Sequence, residues 1–158
     1  MSQYMENKWS WVEGSHDMRA ALLDGLTDSD LAFSPGGQTM TFGALWREMG
    51  EIEHAYIESL KTFKTDFSYK TPDKSVEGSV AGLKKWFTKL DAEMKDIVSG
   101  FSDEDFTKNI ERGSGYTMPL ELQLDVYLQA LLIFFGKATI YFKAMSKPLP
   151  PAIQEYVW

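Results

Sequence analysis

The sequence predicts an all-α protein, a four-helix bundle built from two similar helix pairs. Three observations support this fold class. Apolar residues recur at spacings of three and four along four long segments, which is the period of an amphipathic helix. No segment shows the period of two that is typical of a half-buried strand. A short acidic motif follows the first segment and again the third, which indicates an internal repeat.

The length of 158 residues suits one domain with a complete hydrophobic core. We therefore expect a single domain over residues 1–158, with halves at about 8–63 and 75–145. The polar stretch 64–74 separates these halves. Five Trp and eight Met residues indicate an irregular core or a dimer surface more than a dedicated ligand pocket.

In the first half, a helix is predicted over about residues 8–25. Gly25 should end this helix in the left-handed conformation that glycine adopts readily. Its buried side is expected to carry Trp11, Met18, Leu22 and Leu23. Thr39 or Thr41 should cap the second helix, which has the clearest apolar stripe in the chain. That stripe consists of Phe42, Leu45, Met49, Ile52, Tyr56, Leu60 and Phe63.

In the second half, a helix is predicted from near Ser75 to Gly100. Its stripe consists of Val76, Val80, Leu83, Trp86 or Phe87, Leu90, Met94 and Ile97. The fourth helix should begin at residues 117–119, with Pro119 in its first turn, and continue to about Met145. Pro148, Pro150 and Pro151 cannot continue it. The repeated motif is Gly25-Leu26-Thr27-Asp28-Ser29-Asp30-Leu31 in the first half and Gly100-Phe101-Ser102-Asp103-Glu104-Asp105-Phe106 in the second.

The charge and cysteine content exclude several function classes. A net charge of −7 argues against binding to nucleic acid or to anionic membranes, both of which need clusters of Lys and Arg. Without cysteine there is no disulfide, thiolate nucleophile or thiolate metal site. Residues 1–8 lack the apolar core of a secretion signal, and the apolar run 128–135 is too short to span a bilayer. We expect a cytoplasmic protein with no nucleic-acid or membrane partner.

Three segments together point to a known family. Residues 19–31 combine the first helix end with the Leu26-Thr27-Asp28 turn, and residues 41–48 read Thr41-Phe42-Gly43-Ala44-Leu45-Trp46-Arg47-Glu48. The fourth helix contains Gly136 and leads into Lys147-Pro148-Leu149-Pro150-Pro151. In this order and spacing the segments resemble the DinB/YfiT-like superfamily. The resemblance implies a four-helix bundle that is often dimeric.

The resemblance also implies where a metal would bind. Members of the superfamily usually hold it with one His on the second helix and a His-x-x-x-His pair on the fourth. The matching positions here are Glu48, Ala130 and Phe134, and neither Ala130 nor Phe134 offers a ligand atom. The chain has only two His residues, His16 and His54, so a three-His site is excluded. We expect no cofactor, and a divalent metal is disfavoured.

Other polar residues are weaker candidates for a site. Glu51 and His54 have the Glu-x-x-His spacing of carboxylate-bridged di-iron bundles, but Tyr127 and Ala130 stand where the second copy should be. We therefore interpret this side of the helix as a solvated acidic edge, and we place His16 on the exposed side of the first helix. Gln129 and Tyr127 are polar groups on the most apolar helix. Either could orient a ligand or bond to another helix.

Glu48 can be interpreted in two ways. It lies beside the apolar stripe between Leu45 and Ile52, and burial there would raise its pKa and make it an acid/base candidate. Alternatively, it is a carboxylate on the rim, paired with Arg47 or Lys137.

Three functions remain open at this point. The resemblance implies metal-dependent thiol transferases and isomerases, but the incomplete ligand set argues against those activities. Our first hypothesis is a DinB-like protein without the family metal, whose cleft binds a small apolar molecule or is filled by side chains. The cleft candidates are Glu48, Tyr127, Gln129, Ala130 and Phe134. The alternative is a transferase, isomerase or hydrolase-type enzyme that uses Glu48, either without a metal or with a divergent metal site. A structural homodimer without ligand is the second alternative.

The fourth helix also predicts an assembly. It is apolar nearly all round over residues 126–135, which is more than one bundle core needs. We expect a twofold homodimer in which Phe135 or Leu132 faces outward when Phe134 faces the core. The alternative is that the tail, residues 156–158, folds back over this strip.

Overall fold

The computed structural model describes residues 2–157 and the side chains of residues 2–155. Its helices are α1 (Gln3–Asn7), α2 (Trp9–Asp24), α3 (Phe42–Thr62), α4 (Val80–Ser99), α5 (Leu120–Ala144) and α6 (Pro151–Val157). Helices α2 to α5 form the bundle, with α3 and α2 each packed against both α4 and α5. The all-α four-helix bundle is confirmed. The division into halves at 8–63 and 75–145 stays a prediction.

The helix ends follow local chemistry, with one correction. The Thr41 hydroxyl accepts the N–H of Ala44 at 3.2 Å and caps α3, as predicted. Gly25 ends α2, but its φ of −80° is right-handed, so the prediction of a left-handed cap was wrong. A Cβ at Gly25 would lie 3.3 Å from the ring of Phe142. Glycine is therefore favoured there by close packing against α5.

The third long helix begins later than predicted. Residues Lys74–Gly78 form a short 3-10 helix, and α4 starts at Val80. The extended backbone of Ser79 separates the two, and its hydroxyl accepts the N–H of Gly82 at 3.0 Å. This 3-10 helix packs against the first turn of α3 so closely that a Cβ at Gly43 would lie 1.9 Å from the carbonyl oxygen of Glu77.

A small hairpin stands where the sequence predicted no strand. Strands β1 (Asn109–Glu111) and β2 (Thr117–Pro119) pair antiparallel, with Ile110 opposite Met118. Pro119 is the last residue of β2 and precedes α5, so the expectation that it lies in the first helical turn was wrong by one residue. Strands of three residues are too short to show a period of two in the sequence.

The repeated acidic motif has the same geometry in both halves. The backbone N–H of Thr27 donates to Asp30 at 2.7 Å, and that of Ser102 donates to Asp105 at 2.8 Å. Each hydroxyl also donates to the same carboxylate. A short 3-10 helix follows each turn, at Asp28–Ala32 and at Asp105–Thr107. The repeat therefore fixes the two turns that follow α2 and α4 by one hydrogen-bonding pattern.

The buried side of α2 differs from the one that the sequence suggested. Trp11 is 64% exposed, whereas the buried residues are Trp9, Val12, Ser15, His16, Arg19, Leu22 and Leu23. The stripe of α3 is buried as predicted apart from Ile52 and Phe63, which are half-buried. In α4, Phe87 and Val98 take the buried positions, while Trp86 and Ile97 are half-buried. The bundle thus places two ionisable α2 side chains, His16 and Arg19, in its interior.

Helix α5 is apolar on both its inner and outer sides. By length and composition alone, its 25 residues could cross a membrane, a property that core helices of bundles share. Its inner face packs in the bundle, but Leu132, Ile133 and Ile140 are each at least 60% exposed. Ile153 of α6 is buried against the bundle. The predicted role of the side chains of residues 156–158 lies outside the described residues.

Candidate functional site

Helices α3 and α5 form a cleft at the positions that the family resemblance singles out. Its inner part is a pocket of about 160 Å³. The pocket lining includes Glu48, Ile52, Ala130, Phe134 and Lys137. Glu48, inferred from the motif on the second helix, therefore faces one space with Ala130 and Phe134, inferred from the motif on the fourth. Their functional role stays a prediction.

The cleft continues into a wider hollow beneath the segment that follows α3. This hollow has a volume of about 400 Å³ and shares Glu48, Ile52 and Ala130 with the inner pocket. Tyr56 and Phe67 add aromatic walls, and their rings meet edge to face with centroids 5.6 Å apart. We call the inner pocket and the hollow together the α3/α5 cleft.

The side chains at the three family positions have different environments. The Phe134 ring is buried and meets the ring of Trp46 edge to face, with centroids 4.7 Å apart. Ala130 is half-buried. The Glu48 side chain is 35% exposed and lies 4.0 Å from the ammonium of Lys137. This geometry corresponds to the rim carboxylate that the sequence left as one of two interpretations, and Arg47 pairs instead with Glu77 at 2.8 Å.

Two predicted cleft residues do not line the α3/α5 cleft. Gln129 is exposed and does not line the cleft. The buried amide on α5 is that of Gln123, which donates to Ser59 at 2.9 Å and to Thr65 at 3.0 Å, and accepts from Arg112 at 2.6 Å. Tyr127 is fully buried, but its hydroxyl meets His16 of α2, away from the cleft.

The acidic side of α3 is also less solvated than predicted. Glu51 is buried, and its carboxylate accepts the N–H of Thr71 at 3.0 Å and lies 3.0 Å from the ammonium of Lys70. His54 is half-buried and stacks on Tyr69 with ring centroids 3.8 Å apart. Both side chains hold the segment after α3 against the bundle. The interpretation as a solvated edge was therefore wrong for Glu51.

The bundle interior contains a second constellation, which the sequence analysis missed. We call it the buried polar cluster: His16 and Arg19 of α2, Glu53 of α3, Asp91 of α4 and Tyr127 of α5. His16 Nε2 lies 2.8 Å from the Tyr127 hydroxyl, and His16 Nδ1 lies 3.0 Å from Asp91. Arg19 donates to both Glu53 and Asp91. The expected exposed position of His16 was wrong, because this residue is 7% exposed.

Burial dominates the electrostatics of this cluster. Loss of hydration, reinforced by the charge of Arg19, lowers the pKa of His16 to about 3, so the imidazole is neutral near pH 7. Burial also raises the pKa of Glu53 to about 8 and outweighs the attraction of Arg19. Burial raises the pKa of Tyr127 as well, with Glu53 adding to the effect.

Ligand atoms of His16, Glu53 and Asp91 lie within 4.8 Å of one another, which is close enough to surround a metal ion. However, Arg19 already places a positive charge against both carboxylates, and its guanidinium lies 4.1 Å from the ring centroid of Phe87. Both nitrogens of His16 also have partners within the described part of the chain. The guanidinium of Arg19 therefore already supplies a positive charge next to the two acidic side chains of the cluster.

A third cavity is the α2/α5 groove, on the other side of α5 from the cleft. Its volume is about 540 Å³, and Ile153 of α6 lines it. Trp11 and Met18 of α2 face Leu128, Leu132 and Phe135 of α5 across it. Phe135 is buried and Leu132 is 60% exposed, so Leu132 is the outward residue of the predicted pair.

Comparison with known proteins bears on the fold. No family model matches the sequence, and no curated protein matches it. Among solved structures, the chain is similar to a DinB-like protein, YjoA of Bacillus subtilis, with a TM-score of 0.70 and 12% sequence identity. The similarity covers 87% of this chain and 90% of that one. The chain therefore has a DinB-like fold.

Proposed function

We propose that this protein is a DinB-like bundle that binds a small, mainly apolar molecule in the α3/α5 cleft without the help of a metal. One observation carries the proposal. Glu48, Ala130 and Phe134 converge on the same cleft, yet only Glu48 can ligate a cation. The Phe134 ring, packed on Trp46, takes up space where a third ligand would stand. The three positions thus line one concave pocket, and the inner end of this pocket is apolar.

The lining indicates the chemistry of the ligand. Ile52, Tyr56, Phe67 and Ala130 offer an apolar wall to a flat or branched hydrocarbon body. Glu51 is occupied by Lys70 and Thr71, so it has little capacity for a ligand. Among the described residues, Glu48 has only Lys137 as a charged partner, at 4.0 Å, and it remains able to accept a hydrogen bond. We infer a ligand with an apolar body and one hydrogen-bond donor or amine.

The enzyme alternative has less support in the geometry. An acid/base carboxyl tuned by desolvation must be withdrawn from water, and more than a third of the Glu48 side chain is accessible. The cytoplasmic location stays a proposal. The expectation of no nucleic-acid or membrane partner rests on the acidic composition and is also a proposal.

The binding proposal can be tested with N-phenyl-1-naphthylamine, a neutral apolar fluorescent probe with one N–H donor, and methyl NMR. We expect the probe to shift the methyl signals of Ile52 and Ala130, which report on the cleft. Ala130→Trp should fill the cleft and abolish these shifts at Ile52. Ala144→Trp, which adds the same ring at an exposed position of α5, should leave them intact. Shifts confined to Met18 and Ile153 would place the probe in the α2/α5 groove and contradict the proposal.

A further inference from the structure

The segment that follows α3 forms an outer wall of the α3/α5 cleft. Residues 66–70, which we call the strap, lie outside the helices and strands and run back along α3. Phe67 meets Tyr56 edge to face, with ring centroids 5.6 Å apart. Two residues later, Tyr69 stacks on His54 with ring centroids 3.8 Å apart. The other side chains of the strap are exposed: Asp66, Ser68 and Lys70. This alternation is that of an extended chain lying on a helix.

Both ends of the strap are anchored by backbone hydrogen bonds. Before it, the N–H of Thr65 donates to the carbonyl of Glu111 at 2.7 Å. The Thr65 hydroxyl also accepts from the Gln123 amide at 3.0 Å. After the strap, the N–H of Thr71 donates to the carboxylate of Glu51 at 3.0 Å, and both of these residues are buried. The strap is therefore tied to the hairpin and α5 at one end and to α3 at the other.

Between these anchors the strap is held by side chains. Among the described residues, no backbone hydrogen bond joins the strap to another element. The N–H of Ser68 donates within the strap, to the carboxylate of Asp66 at 2.8 Å. The ammonium of Lys70 lies 3.0 Å from Glu51, but the Lys70 side chain is 66% exposed, so this ion pair contributes little. A segment with few buried contacts between two fixed points opens at a lower free energy than the helices do.

Phe67 is the apolar strap residue that a ligand would contact. It lines the wider hollow of the cleft, and it is 47% exposed. An apolar body in the hollow would cover ring surface that is accessible to water, and it would do so only while the strap lies against α3. A ligand that gains a contact in one state of the strap shifts the strap towards that state. Ligand binding should therefore favour the closed strap.

We propose that the strap is a lid of the α3/α5 cleft. It opens about the anchors at Thr65 and Thr71 to admit the ligand, and it then closes Phe67 over the apolar body of the ligand. The stack of Tyr69 on His54 is the latch, because it joins the strap to α3 and neither residue lines the cleft. Such a lid controls the rates at which a ligand enters and leaves. Its role rests on the function proposed above.

Stopped-flow fluorescence of N-phenyl-1-naphthylamine measures the latch. Tyr69→Ala should raise both the association rate and the dissociation rate of the probe by about two- to tenfold, the value of one aromatic pair. Tyr116→Ala is the matched control, because it removes the same side chain from a position that is 58% exposed between β1 and β2. The control should leave both rates unchanged. Rates of Tyr69→Ala equal to those of the wild type would overturn the lid.

A single thiol reports the closure of the strap directly, since the chain has no cysteine. His54→Cys places this thiol beneath Tyr69 and outside the lining of the cleft. Saturating probe should slow the reaction of the thiol with iodoacetamide at least about threefold, because bound probe holds the strap closed. Lys89→Cys, at an exposed position of α4, should react at the same rate with and without probe. Equal rates for His54→Cys with and without bound probe would overturn the lid.

Methyl NMR on the same samples separates the lid from the proposed function. If the probe shifts the methyl signal of Ile52 but leaves the rate of the His54→Cys thiol unchanged, binding in the cleft stands and the lid is refuted. If the probe does not shift the Ile52 signal, the proposed function fails and the lid fails with it. Circular dichroism verifies that all variants are folded.

Discussion

Placing three His residues at the positions given by the family resemblance is the most informative perturbation of the α3/α5 cleft. We predict that Glu48→His, Ala130→His and Phe134→His together create a zinc site, because all three positions line the same pocket. Only Phe134→His should lower the free energy of unfolding strongly. Glu48 and Ala130 are partly accessible, whereas the Phe134 ring is buried against Trp46.

The magnitudes can be estimated in advance. Truncating a buried aromatic costs about 3–5 kcal/mol, and Phe134→His should approach this range because the imidazole is smaller and polar. Native domains have about 5–15 kcal/mol of stability, so the triple variant should fold, but marginally. Zinc at about 1,000 times its dissociation constant would return about 4 kcal/mol by mass action. Zinc should therefore offset most of the loss.

Urea denaturation with and without zinc measures this balance. The matched control is Glu48→His with Ala130→His and Phe134→Ala, which has the same core loss but only two imidazoles. We expect zinc to raise the midpoint of the triple variant strongly and that of the control weakly. If the triple variant folds and zinc does not change its urea midpoint, the three positions do not converge as the family resemblance requires.

Two further predictions concern packing and pH. Gly43→Ala should destabilise the protein by about 1–3 kcal/mol, because its Cβ would meet the carbonyl of Glu77, whereas Gly78→Ala, with open space around it, should change stability by less than about 0.5 kcal/mol; urea midpoints separate the two. Since burial raises the pKa of Glu53 to about 8, the protonated form favours folding, and the free energy of unfolding should lose this contribution as the pH rises from about 5 to about 8. Glu53→Gln removes this loss, so its stability relative to wild type should increase over that range; a difference that stays constant with pH would contradict the raised pKa.

The helices could be predicted from the sequence because their signals are local. A capping hydroxyl at Thr41, apolar residues at helical spacing and three prolines after α5 act within a few residues. The hairpin of β1 and β2 and the 3-10 helix Lys74–Gly78 could not be predicted in this way. Three-residue strands carry no readable period, and the 3-10 helix forms where the chain turns back to pack on Gly43.

The buried polar cluster could be predicted from the sequence only in part. Trp9, Val12, His16 and Arg19 follow one another at spacings of three and four, so the sequence did contain a signal that ionisable residues share the buried stripe of α2. The sequence alone could not show that Glu53 and Asp91 come from two other helices to meet Arg19. Such contacts depend on the rotation of each helix in the bundle. The same applies to α5, where the buried amide is that of Gln123 and not of Gln129, because α5 is apolar on nearly every side and its pattern does not show which side is buried.

Elemental analysis of the untagged protein after dialysis measures whether the chain retains a divalent metal ion. We propose that the α3/α5 cleft of this DinB-like bundle binds its ligand without a metal, and that Arg19 takes the place of a metal ion in the buried polar cluster. We expect well below one divalent ion per chain. Zinc or nickel that remains bound at one ion per chain would contradict it.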